Sequence, residues 1–176
     1  MQTLQNVVET PCQASLDAWP FGAIAIIDYA PQYKEDFKRL NLEWIAYYFS
    51  VEDIDNALLS DPEKYFLRPG GYIFFAQCCE QIVGTCALLK HPERGFELSK
   101  MGVTRPYRGM HIGRTLVETA LEKVRALGEP ESFLETHSKL LPAMHLYKKF
   151  GFRQKPFPHG RSERYQRANT YMVSAL

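Results

Sequence analysis

Phe96-Glu97-Leu98-Ser99-Lys100-Met101-Gly102-Val103 runs straight into Thr104-Arg105-Pro106-Tyr107-Arg108-Gly109-Met110-His111-Ile112-Gly113-Arg114, a junction between two kinds of periodicity. Its first half is a strand-like, largely apolar run. Its second half is a short loop carrying Gly109 and Gly113, after which Ile112, Leu116, Ala120, Val124 and Leu127 recur at helical spacing until Gly128 stops the helix. A strand that passes through such a loop into a helix aims several backbone N–H groups and the positive end of a helix dipole at one spot. That arrangement suits a pyrophosphate. Arg108 and Arg114 can add charge-assisted bonds to the same oxygens. Taken alone, the pattern describes a tight strand-to-helix turn equally well. Other phosphate loops do not match it. A Walker loop ends in Gly-Lys-Ser/Thr, which this chain lacks. A dinucleotide fingerprint needs Gly-x-Gly-x-x-Gly after the first strand, whereas this loop follows the fourth.

Working outward, an apolar β-branched run at 23–29 predicts the first strand. Tyr33, Phe37, Leu40, Trp44 and Tyr47 recur at helical spacing and predict a helix over 32–49, followed by a short acidic helix near 51–59. Asp61-Pro62 and Pro69-Gly70-Gly71 punctuate the chain. Two apolar runs at 72–79 and 82–89, joined by Glu80-Gln81, read as a hairpin. Beyond the long helix, the chain predicts a strand at 132–136, a helix at 142–150, a strand at 152–155 and a last strand at 168–173. Residues 1–20 have weak periodicity and read as an appended arm, placed on the domain by Val7, Val8 and Trp19 or left loose. Residues 21–176 contain no repeat and no composition break, and 176 residues suffice for one buried core. One mixed α/β layer domain is the economical expectation.

Lys plus Arg number 21 against 20 for Asp plus Glu, a net charge of +1, which sets aside a dedicated nucleic-acid binder. The charge is nevertheless unevenly spread. Residues 1–66 hold eleven acids and four bases, whereas 137–167 hold eight Lys or Arg and only Glu163 as an acid. One end should therefore suit an anionic ligand and the other a cationic one. Cys12, Cys78, Cys79 and Cys86 have no metal-ligand spacing and read as reduced structural thiols, so no metal site is expected. No signal-peptide pattern and no apolar run of about 20 residues occurs, which leads to the expectation of a cytoplasmic protein without membrane attachment.

The motif Val103…Pro106-Tyr107-Arg108-Gly109-x-x-Ile112-Gly113 is followed, thirty residues after Gly113, by Ala143-x-x-Leu146-Tyr147-Lys148-Lys149-Phe150-Gly151-Phe152. In order and spacing these resemble the two signature motifs of the GNAT superfamily of N-acetyltransferases. The resemblance runs from about residue 23 to the C-terminus, and FELSKMGV, LETHSKLLPA, LYKKFGF and YQRAN are similar to a bacterial subgroup. It implies a single α/β (α+β) domain whose mixed, mostly antiparallel sheet splays at the centre with helices on both faces. It also implies acetyl-CoA as cosubstrate and a primary amine as acceptor, a small molecule rather than a protein, acetylated by direct attack in a ternary complex. No Cys lies in an activating motif, so no covalent enzyme intermediate is expected. A monomer or homodimer is expected.

Residue by residue, the resemblance implies that backbone groups of Met101, Gly102 and Val103 meet the pantetheine arm. Arg108, Gly109, Met110, His111, Ile112, Gly113 and Arg114 would cradle the pyrophosphate, and Lys148 or Lys149 would face the phosphorylated ribose. Tyr147 would protonate the leaving thiolate. An attacking amine must also lose a proton. Glu97 is the first candidate to take it, Glu135 the second, and His137 and His145 follow. For the acceptor wall the candidates are Glu43, Trp44, Tyr47 and Tyr48, with Trp44 and Tyr47 equally readable as core. Arg161, Arg164 and Arg167 are placed to hold a substrate carboxylate. Two positions depart from the family's pattern: His111 stands where its signature has a glycine, and Leu140 where many members have an asparagine. Both favour the rival reading of a domain that binds coenzyme A without catalysis. A third reading, set by the acidic first third, is acetylation of a protein amine.

Overall fold

The computed structural model describes residues 24–176, so the expected arm at 1–20 and Cys12 lie outside the described residues. The elements follow in the order β1 (Ile24–Asp28), α1 (Lys34–Tyr48), α2 (Asp53–Ser60), β2 (Tyr72–Cys78), β3 (Gln81–His91) and β4 (Gly95–Val103). After these come α3 (Ile112–Ala126), β5 (Glu131–Thr136), α4 (Leu141–Lys149), β6 (Arg153–Lys155) and β7 (Thr170–Ala175). The periodicities explain most of this. In α3, Ile112, Leu116, Val117, Ala120, Leu121 and Val124 form one buried stripe, and Gly128 with φ +78° follows its end. Helix α2 begins at Glu52, which forms a capping box with Asp55.

One element is not foreshadowed by the sequence. Between the Pro and Gly signals, Glu63–Leu67 makes a single wide helical turn. Phe66 holds it in place, fully buried with its ring 5.5 Å from that of Phe37. Burial of such a side chain contributes roughly 2 kcal/mol, enough to order one turn.

The sheet runs β1-β2-β3-β4-β5-β7-β6. Every neighbouring pair is antiparallel except β4 and β5. These two pair in parallel only at Phe96 with Ser132 and Glu97 with Phe133. Just beyond, the β3–β4 register shifts between Thr85 and Ala87, and Lys100 adopts φ +50°. A residue inserted in this way bends its strand, so β4 leaves β5 and the sheet opens at its centre. Helix α3 packs on one face over Phe74, Leu88 and Leu98. On the other face Phe37, Leu40 and Ile45 of α1 and Leu58 and Leu59 of α2 pack over Phe75 and Ala87. The single α/β domain with a splayed mixed sheet and helices on both faces is as the sequence led one to expect. No helix among the described residues is long and apolar enough to cross a membrane.

Candidate active site

The split between β4 and β5 becomes a cleft of about 510 Å³. Along one side runs β4 from Leu98 to Val103, whose edge toward β5 has no strand partner after Glu97. The loop contributes Arg108, Gly109 and His111, and the first turn of α3 contributes Ile112, Gly113 and Arg114. Helix α4 closes the far wall with Leu146, Tyr147 and Lys149. The two sequence motifs therefore line one cavity. Met110 and Lys148 are outside it, Met110 packing instead on the α3 core and Lys148 lying exposed.

The loop is held from beneath. Glu43 accepts hydrogen bonds from Thr104 Oγ1 at 2.7 Å and the Arg105 N–H at 3.0 Å, and its carboxylate lies 3.5 Å from Arg108 Nη2. It does not line the cleft, and these bonds tie α1 to the loop. Arg108 Nε donates to the Val103 carbonyl at 2.8 Å, which ties the arginine to the end of β4.

Two positions show what the cradle is shaped for. His111 adopts φ +61° and ψ +4° as the N-cap of α3, the left-handed conformation that explains why a glycine is expected there. His111→Gly should therefore raise stability by about 1 kcal/mol, a rise in melting temperature of roughly 2–4 °C; calorimetry that finds no rise would show the imidazole repaying its own strain. Gly113 differs. Its φ is not left-handed, and a Cβ built there finds nothing nearer than Leu146 Cδ2 at 3.6 Å. Nothing in the protein demands glycine at 113, which fits a cradle that a ligand's backbone-hugging group fills.

Tyr147 is the buried residue of α4, with 7% of its surface exposed. Its ring meets Phe152 edge-on at 5.9 Å. Among the described residues its hydroxyl has no hydrogen-bond partner, and the residue lines the cleft. Burial, with the nearby Cys86 thiol adding to it, pushes the phenol well above its ordinary range, so it is a protonated donor at any physiological pH.

The carboxylates separate sharply. Glu97 is 2% exposed and does not line the cleft. Its Oε2 accepts from Arg164 Nη1 at 2.7 Å and lies 2.8 Å from His91 Nε2. Burial alone would raise its carboxyl, but the bond to His91 and the charge of Arg164 outweigh this and hold it low. A buried carboxylate already paired is a poor proton acceptor, so the first sequence candidate is displaced. Glu135 lines the cleft. Its carboxyl is raised by burial against the hydrogen bond it accepts from Ser162 Oγ at 2.5 Å. His137 also lines the cleft, but its Nδ1 accepts the Lys139 N–H at 3.0 Å. A neutral imidazole has one lone pair, and here it is spent. His145 is exposed on α4 and also lines the cleft.

The opposite end of the cleft is aromatic: Trp44, Tyr48, Phe49 and Tyr165 form its walls. Trp44 reaches β4 because position 102 has no side chain; a Cβ there would sit 2.9 Å from Trp44 Cδ1. Tyr47 is 61% exposed and lies outside the cleft, its ring under the Arg105 guanidinium at 4.1 Å. Arg164 is outside the cleft as well, committed to Glu97, and Arg161 is exposed. Sequence reasoning passed over Lys100, Phe49 and Tyr165. A lysine inside the apolar run 96–103 was the available signal, since a buried ammonium must have a partner. That partner is Asp55, 2.9 Å away and itself fully buried.

The same architecture recurs in known proteins. The model of the Acetyltransferase (GNAT) family matches residues 36–152. An uncharacterised N-acetyltransferase of Schizosaccharomyces pombe is 30% identical over 136 residues, covering 73% of this chain and 82% of that protein. N-acetyltransferase 8B of Homo sapiens is 33% identical over 102 residues, which is 54% of this chain and 45% of that protein, so the match spans less than half its length. A GNAT-family acetyltransferase from Staphylococcus aureus Mu50 superposes with a TM-score of 0.78 at 25% identity, covering 87% of this chain and 99% of that one. The PaiA N-acetyltransferase of Thermoplasma acidophilum, solved in complex with coenzyme A, superposes with a TM-score of 0.66. It is 17% identical over 88% of this chain and 99% of that one, a likeness of fold.

Proposed function

Because this chain belongs to the GNAT family of acetyltransferases and is an acyltransferase, we propose that it carries the acetyl group of acetyl-CoA to a small primary amine by direct attack in a ternary complex. The observation that carries this reading is the single cleft onto which the unpaired edge of β4, the 108–114 loop and Tyr147 all open. A structural neighbour of the same fold holds coenzyme A. Arg108, Arg114 and the α3 N-terminus meet the pyrophosphate, and Lys149, which lines the same cleft, faces the phosphorylated ribose in this reading.

The acceptor arrives as an ammonium ion. Glu135 takes one proton and exposes the nitrogen lone pair. The nitrogen attacks the thioester carbonyl, the C–N bond forms and the C–S bond breaks. Tyr147 donates its hydroxyl to the sulfur as negative charge develops there, and the second proton shed by nitrogen ends on the thiol. Products are an amide, free coenzyme A and one proton passed to water. Glu135 is preferred to Glu97 because it lines the cleft and its carboxyl is raised, not held down.

Titration with acetyl-CoA tests the cofactor part. At a hundredfold excess over Kd, binding should stabilise the protein by about 2.7 kcal/mol, and an unmoved melting curve at millimolar ligand would sink the assignment. Gly113→Ala should leave unliganded stability intact while acetyl-CoA affinity falls about tenfold, the cost of a methyl group where a ligand must approach. Equal affinities would mean the cradle is empty in function. For Glu135→Gln the expected drop in kcat is about tenfold at pH 7, because water or solution deprotonation of the amine substitutes in part. A base must be ionised, so wild-type activity falls as pH drops through a carboxyl raised above 4.5. That acidic limb should vanish in the variant, and a limb that persists would assign the proton to another group.

A further inference from the structure

The charge around the acceptor end of the cleft identifies the kind of amine that belongs there, given the acetyl-transfer reading on which this inference rests. The loop before β7 crowds Arg161, Arg164 and Arg167 together, a composition that invites a substrate carboxylate. The geometry removes the invitation. Arg167 Nη1 and Nη2 donate to Asp55 at 2.6 and 2.7 Å, and Nη1 also reaches Glu52 at 3.2 Å. Lys100, with 2% of its side chain exposed, gives its ammonium to the same Asp55. Arg164 is spent on Glu97. Among the described residues, each cation lining this end thus has a carboxylate partner. Among the described residues, the one carboxylate lining the cleft is Glu135; its hydrogen-bond partner is neutral, the Ser162 hydroxyl, and the charges of Arg164 and Arg94 reach it through space, opposed by Glu97. The same cleft is lined by Trp44, Tyr48 and Phe49, faces that attract a cation and shelter an apolar body.

We propose that the acceptor is a primary amine on an aromatic or apolar body that bears no carboxylate, its ammonium drawn to Glu135 and its body held against Trp44, Tyr48 and Phe49. An amino acid would bring a second carboxylate next to Glu135 while the cations lining this end, Lys100 and Arg167, are already held by Asp55. The pull is consistent along the cleft: Arg114 and Lys149, with Arg108 shared with Glu43, bring to it the sign that a nucleotide phosphate needs.

The test is a thiol-release assay with acetyl-CoA on matched pairs, tryptamine against tryptophan and phenethylamine against phenylalanine, beside spermidine, an aminoglycoside and a lysine peptide. The expected result is kcat/KM about a hundredfold higher for each amine than for its amino acid, with both amines ahead of the polyamine, aminoglycoside and peptide. An amino acid that matches its amine, or a polycation or peptide that leads the series, overturns the proposal and leaves acetyl transfer standing. No thiol released from any acceptor, by protein whose melting temperature acetyl-CoA does raise, overturns both this proposal and the catalytic reading in favour of a binding module. Tyr48→Ala supplies the local check, since this side chain is partly exposed and its removal spares the core. Its KM for tryptamine should rise about tenfold while the acetyl-CoA melting shift stays unchanged; an unchanged KM removes Tyr48 from the acceptor wall.

Discussion

Replacing Tyr147 with phenylalanine is expected to lower kcat by about 10²–10³-fold while acetyl-CoA affinity stays within a factor of a few. The ring is buried against Phe152, and phenylalanine fills the same volume, so the fold should not register the change. What disappears is one donor with no competing partner among the described residues. A coenzyme A thiolate resembles a free thiolate, with a conjugate pKa near 8.5, and the buried phenol holds its proton more tightly than that. Complete transfer from oxygen to sulfur would therefore run uphill. The larger part of the effect comes from a preorganised hydrogen bond that strengthens as the C–S bond breaks, from a side chain that is itself largely shielded from solvent. The measurement is steady-state kinetics on a competent amine together with acetyl-CoA titration of the same variant. Full turnover in the variant would end the assignment. A loss confined to KM for acetyl-CoA would reduce Tyr147 to a wall of the site.

A second large effect should come from a residue outside the chemistry. Asp55→Ala is expected to cost 3–5 kcal/mol, a fall in melting temperature of about 10 °C or more. Asp55 is fully buried and accepts from Lys100 Nζ and both terminal nitrogens of Arg167, with the Glu52 N–H adding a fourth bond at 3.1 Å. Its removal strands a buried ammonium and unlatches the 165–168 segment from α2, which Glu52 also holds through the Gln166 and Arg167 N–H groups. Lys100→Met should cost far less, because Asp55 keeps Arg167 and the methionine fills the stem's volume. Equal losses in the two variants would show that the ion pairs are not what is being removed. Burial by itself would raise the Asp55 carboxyl, but Arg167 and Lys100 together lower it from 3.8 to about 2. A depressed carboxyl contributes stability above its ordinary value and loses it as pH falls through the folded one. Acid unfolding should accordingly carry a component between about pH 4 and pH 2 that Asp55→Ala lacks.

Much of the site was legible because it is local. The stripe of α3 repeats every three or four residues, the loop precedes it directly, and Tyr147 stands one turn before Gly151 in a motif read as a unit. Period and turn chemistry depend on neighbours in the chain, so they survive without a structure. His111 was legible through the family resemblance, which has a glycine in its place, and it is found in the left-handed conformation that favours glycine.

The acceptor end was misread, and the reason is equally physical. Glu97 and Arg164 lie 67 positions apart, Lys100 and Asp55 45 apart, and Arg167 and Asp55 112 apart. In sequence each appears as a solitary charge available to a ligand. Composition cannot tell a free guanidinium from one whose field is cancelled across a loop. Neighbours along the chain suffice to set the order of strands and helices and the glycine-bearing turn between β4 and α3. Tertiary structure alone decided which charges remain unpaired. A strand bent at Lys100 and a loop folded over β4 set distances to a few tenths of an ångström, and Coulomb pairing in a buried site is fixed at that scale.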